Sequence, residues 1–129
     1  MLRLFYIAIG GAAGAILRYW FSGVTHRIFN GGFPWGTLSV NLIGSLVIGF
    51  LWGIFESVVV SQNIRVLLFV GLLGSFTTFS TFSLESFHLI RDGEYSLFLM
   101  NIVFSFILGI VLVFAGYFVS QYVFSLIRR

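Results

Sequence analysis

Cysteine and lysine are absent, proline occurs once, and there are only four acids in 129 residues: Glu56, Glu85, Asp92 and Glu94. The missing cysteine excludes disulfides, thiol nucleophiles and thiolate metal sites together. Charged residues make up 9% of the chain, too few for the polar surface that a water-soluble domain of this size needs. The two histidines, His26 and His88, have no further ligands at metal-binding spacing. All seven basic residues are arginines, at positions 3, 18, 27, 65, 91, 128 and 129. They stand mostly at the edges of apolar runs, where arginine snorkels or meets headgroups, and no basic stripe interleaves with aromatics. The net charge of +3 therefore points to no nucleic-acid partner.

What the chain does have is apolar length. Hydrophobic residues are 59% of it and its mean hydropathy is +1.07, so lipid is its solvent. A crossing of a hydrocarbon core about 30 Å thick takes roughly 20 mainly apolar residues. Four segments qualify, at about 4–22, 36–56, 66–88 and 95–127, and together they predict an all-α integral membrane protein with one transmembrane domain over 1–129. The first segment resembles a signal peptide in its opening Arg3 and its small residues. Three further apolar segments and no soluble domain argue that it is a span instead. The fourth is long for one crossing, so tilt or protrusion is expected.

The connections are a Gly/Pro loop around Asn30, Gly31, Gly32 and Pro34, a turn through Ser61, Gln62 and Asn63, and a charged turn at Arg91, Asp92, Gly93 and Glu94. Four crossings put Arg3, Arg65, Arg128 and Arg129 on one side, against Arg18, Arg27 and Arg91 on the other. A four-to-three balance hardly fixes orientation, and insertion in both directions, with antiparallel pairing, is the expectation.

Small and polar residues recur every fourth position: Gly10, Gly14 and Arg18 in the first span; Asn41, Ser45, Gly49 and Gly53 in the second; Asn101, Ser105 and Gly109 in the fourth. In lipid such faces associate helices by close packing. Interhelical hydrogen bonds alone are worth about 0.6–2 kcal/mol, too little to explain several converging polar groups as mere glue. Arg18 is costly within a span and calls for a partner or a water-filled cavity, unless it snorkels.

Residues 74–83 read GSFTTFSTFS, with six hydroxyls and phenylalanines at 76, 79 and 82. Hydroxyls bonding back to carbonyls, and β-branched residues beside Gly71 and Gly74, weaken a helix here. A third helix broken mid-membrane would free carbonyls that suit a hard cation such as sodium; a kinked, dry helix packed through its hydroxyls is the other reading. Phe79 and Phe82 lie about 60° apart on a helix. Their positive ring edges, with Asn and hydroxyl donors, can meet an anion without a full charge that would trap it. Glu85, one turn past Thr81, accepts a threonine hydroxyl, pairs with an arginine, or is an ordinary helix-end acid.

The segments GGAAGAILRYW from Gly10, PWGTLSVNLIGS from Pro34 and GLLGSFTTFSTFSLE from Gly71, with the small-residue face of the fourth helix, resemble the small bacterial fluoride channels called Fluc or CrcB proteins. The resemblance implies an antiparallel, dual-topology homodimer in the inner (plasma) membrane, with two fluoride paths and a structural sodium ion at the subunit interface. It implies that Phe79 and Phe82 are the pore phenylalanines, Asn41 the pore asparagine, Ser80 and Thr81 a hydroxyl track, and Glu85 a position further along it. Gly74 and Thr77 then hold sodium through backbone carbonyls, Arg18 is the arginine of the first helix, and Ser105 is the variable polar position of the fourth. Ser75 departs from the family in replacing a glycine often found beside Gly74. The implied activity is passive, fluoride-selective efflux that lowers fluoride toxicity.

Two other classes compete. A small four-helix multidrug or cation exporter needs a membrane-embedded carboxylate, and only Glu85 comes near a span. A non-transporting assembly protein has no use for the six hydroxyls. An enzyme is disfavoured, because no nucleophile with a base and no metal cluster falls inside a span.

Overall fold

The computed structural model describes residues 1–29 and 31–127; Asn30 of the first loop, and Arg128 and Arg129 of the arginine balance, lie outside the described residues. The described chain contains no strand. It forms four helical runs long and apolar enough to cross a membrane: α1 Leu2–Ile28, α2 Trp35–Ser57, α3 Gln62–Arg91 and α4 Tyr95–Ile127.

α1 continues past position 22 through Gly23, a single glycine that weakens a helix without ending it, and His26 and Arg27 in its last turn favour the negative end of its dipole. α3 starts at Gln62, ahead of the apolar run, because the Ser61 hydroxyl accepts the Ile64 N–H at 3.4 Å. It stops at Gly93, whose φ of +80° suits glycine, and the Gly93 and Glu94 N–H groups return to the Ile90 and Leu89 carbonyls.

The helices pack chiefly as two pairs, α1 against the first part of α3 and α2 against α4. Glycine makes both possible. A Cβ at Gly14 would overlap the Leu72 carbonyl, and one at Gly49 the Val113 carbonyl. Since lipid tails are as apolar as leucine, this approach of backbones supplies dispersion contact that larger residues would forbid. Most large apolar side chains of α4, including Ile110, Phe114 and Phe118, stay exposed as a lipid-facing surface requires. Gly49→Val is accordingly expected to cost about 1–3 kcal/mol, read as an earlier unfolding midpoint in a denaturing-detergent titration.

Two stretches widen to π-helix, Val66–Leu73 in α3 and Phe104–Leu108 in α4. Wider turns of this kind commonly accompany functional sites. Just past the first, α3 leaves helical geometry: Thr77 has φ −82°, ψ 157° and Thr78 φ −149°, ψ 119°, before helix resumes at Phe79.

Candidate functional site

At the interruption, Asn41 on α2 closes on the backbone of Thr78 from both sides. Its Oδ1 accepts the Thr78 N–H at 2.8 Å and its Nδ2 donates to the Thr78 carbonyl at 3.0 Å. The Thr78 hydroxyl caps the resumed helix by accepting the Thr81 N–H at 3.3 Å, and donates to the Thr81 hydroxyl at 3.0 Å. In an unbroken helix these two N–H groups would serve the Gly74 and Thr77 carbonyls, four residues earlier. Both carbonyls are thereby released from the ladder, and both residues line a groove beside Asn41.

That groove, of about 340 Å³, collects Asn41, Gly74, Thr77, Phe79, Phe82 and Ser105. Its lining, completed by Ser45, Ile48 and Phe106 among others, carries no charged side chain. Phe82 is buried, its ring edge-to-face with Phe106 at 5.9 Å, while Phe79 is tilted against Phe82 at 5.7 Å and is 71% exposed on the rim. The Ser105 hydroxyl is buried without a hydrogen-bond partner, within the π-helical stretch of α4. One wall of the groove is open, so a single chain does not enclose it.

The other sequence candidates lie elsewhere. Ser80 is exposed, its hydroxyl 3.4 Å from that of Thr78. Thr81 and Arg18 line a second groove, of about 490 Å³, together with Ser22, His26, Thr37 and the far side of Thr78. Glu85 faces a third, of about 450 Å³, at the loop end of the molecule with His26, His88, Asp92 and Glu94. One Glu85 oxygen accepts the Thr37 hydroxyl at 2.7 Å and the other is buried without a partner.

Thr78, Thr37 and Ser86, the last joined to the buried Asn101 at 3.1 Å, are not singled out by the sequence. Thr37 was within reach, because it continues the Asn41, Ser45, Gly49 stripe by one turn toward the N-terminus. Thr78 is one hydroxyl among six, and no spacing rule ranks it above the rest. Among the described residues, no group of three or more His, Asp or Glu side chains is placed to hold a metal.

The family model described as "CrcB-like protein, Camphor Resistance (CrcB)" matches residues 5–117. Among curated relatives, a protein named fluoride-specific ion channel FluC from Parabacteroides distasonis is 44% identical over 128 residues, 99% of this chain and all of the relative. Proteins of the same name from Magnetococcus marinus and Aquifex aeolicus are 41% identical over 121 residues and 44% over 119, covering 93% and 92% of this chain and 98% and 96% of theirs.

Proposed function

The chain belongs to the CrcB-like family, and on that footing we propose that it is a passive, fluoride-selective anion channel of the inner membrane that lets cytoplasmic fluoride escape and so lowers its toxicity. The observation that carries the reading is the uncharged groove in which Asn41, Phe79, Phe82 and Ser105 meet. A small halide entering it exchanges water for ring edges and hydroxyl or amide donors. No full positive charge holds it there, so binding stays weak enough for release. The unpartnered Ser105 hydroxyl is a donor with no protein acceptor to give up. Conduction of this kind is not catalysis, and no bond is made or broken.

The working unit is an antiparallel homodimer of dual topology, with the α3 interruption inside the bilayer. The open wall of the groove, the 71% exposed Phe79 on its rim and the near-balanced arginines support it, since a second copy would close the path. The released Gly74 and Thr77 carbonyls fit a structural sodium ion at the interface: they are hard oxygen donors without helical partners. Two carbonyls leave the shell incomplete, and a second copy would add two more. Ser80, Thr81 and Glu85 then serve the approach to the groove rather than its narrowest part.

The small exporter reading loses ground to the placing of Glu85, which is tied to Thr37 and stands outside the aromatic groove. The deciding experiment is efflux from liposomes containing the purified protein. Fluoride is expected to leave rapidly and chloride at least about a hundredfold more slowly, a gap of roughly 2.7 kcal/mol between barriers. Equal rates for the two halides would end the selectivity claim, and no fluoride movement would end the channel reading.

A further inference from the structure

The loop end of the molecule gathers most of the chain's histidine and carboxylate side chains. Of two histidines and four acids in the sequence, both histidines and three acids, Glu85, Asp92 and Glu94, line the recess of about 450 Å³ found there. The histidines come from different helices, His26 from the last turn of α1 and His88 from the last turn of α3. Both are exposed where their helices end.

Among the described residues the ion pair at this end is Arg91 with Asp92, at 2.8 Å. Glu85 is met by a neutral donor, the Thr37 hydroxyl, and Glu94 has no described cation within salt-bridge distance. With neutral imidazoles, Glu85 and Glu94 leave the recess negative, and an anion is repelled at its rim. Histidine is the side chain type that gains its charge as the pH falls from about 8 to about 5, and two imidazolium rings would balance two carboxylates. The other groups near His26 are Arg18 and Tyr19, which share the neighbouring groove with it, and Arg27, about 100° further around α1. Arginine and tyrosine are types that keep one charge state over this range. Protonation of Glu85 would change the charge in the same direction as protonation of the histidines, so a test has to separate the two.

We propose that this recess is a proton-controlled mouth for anions: protonation of His26 and His88 turns a rim that repels fluoride into one that admits it, so efflux rises as the pH on that side falls. This rests on the channel reading, in which Glu85 stands on the approach to the aromatic groove, and adds a control that an uncharged groove cannot supply. The sign follows from the charge, since each added proton brings a positive charge and the local anion concentration rises with it. Two unit charges about 8 Å from an ion in a largely aqueous recess are worth roughly fivefold in occupancy. In an antiparallel dimer each side of the membrane carries one such mouth, and each side responds to its own pH.

The chain has no cysteine, so Gly32→Cys gives a single attachment point for a fluorophore. Gly32 lines the recess, and a Cβ added there makes only an ordinary contact with Leu97, at 3.6 Å. Quenching of that label in detergent by iodide, standing in for the small anion, is expected to strengthen about threefold between about pH 8 and about pH 6, a step that captures part of the histidine range. Quenching by neutral acrylamide should stay constant. The iodide response should vanish in His26→Gln/His88→Gln, and shrink in concentrated inert salt, where the screening length falls to about 3 Å. Glu94→Gln should strengthen iodide quenching already at the higher pH. Fluoride efflux from liposomes at subsaturating fluoride, corrected for protein-free vesicles at each pH, should show the same rise and the same loss in the double variant. A label that responds in this way on a protein that moves no fluoride keeps the proton-controlled mouth and ends the channel reading. An iodide response that is flat before the histidines are replaced, or that survives their replacement, overturns the proposal, as does efflux that ignores pH while the label responds.

Discussion

Phe79→Ile is expected to cut fluoride efflux by about a hundredfold or more while the protein stays folded. The ring is 71% exposed on the rim of the uncharged groove, so its removal takes little from the packing of the chain itself. What it removes is a polarised edge that an anion, stripped of part of its water, would meet; isoleucine keeps the bulk and offers no comparable edge. A barrier higher by roughly 2.7 kcal/mol gives a hundredfold lower rate. Phe82→Ile is the informative companion. That ring is 5% exposed and packs edge-on against Phe106, so its loss should lower both flux and stability, the latter by about 1–3 kcal/mol. Liposome efflux paired with a denaturing-detergent midpoint separates the two. If Phe79→Ile conducts fluoride at the wild-type rate, the aromatic edge is not part of the path and the groove has another purpose.

The contrast between the two phenylalanines was only partly legible in the sequence. A three-residue spacing puts both rings on one side of a helix, but burial depends on what stands opposite, and Phe106 opposite Phe82 is a long-range fact. The four spans were legible because lipid demands long apolar runs; the start of α3 at Gln62 was not, since the Ser61 cap sets it. The stripe from Asn41 to Gly53 reads directly, because four-residue spacing and small size are what close helix pairs require in a membrane. Ser80 and Thr81 are a different matter. Successive helical residues point about 100° apart, so two neighbours do not readily line one narrow path. Here Ser80 is exposed while Thr81 faces the Arg18 groove. The π-helical stretches leave no pattern in the residues at all. They are a packing outcome, and one of them presents the Ser105 hydroxyl without a partner.

Asn41 carries the second large effect, and for a reason that residue type alone does not give. Its amide is occupied at both ends by the Thr78 backbone, so its first task is to hold the interruption open. Asn41→Leu leaves a buried N–H and a buried carbonyl without partners, at about 1–3 kcal/mol each. The chain can escape part of that cost by letting Thr78 return its N–H to the Gly74 carbonyl, which closes the break. The expected result is loss of fluoride efflux together with loss of any stabilisation by sodium, because the released carbonyls are recaptured. Asn41→Asp tests the same residue from the other direction. Its carboxylate still accepts the Thr78 N–H but faces the Thr78 carbonyl with no proton to give, and it sets a negative charge in a groove whose lining is otherwise uncharged. Efflux should fall by about a hundredfold or more, through repulsion of the anion, with a smaller stability loss than in Asn41→Leu. Fluoride efflux and sodium-dependent melting of the two variants decide it. Wild-type efflux from Asn41→Asp would show that the anion never comes near this amide, and undiminished sodium stabilisation in Asn41→Leu would show that the Gly74 and Thr77 carbonyls do not need Asn41 to stay free.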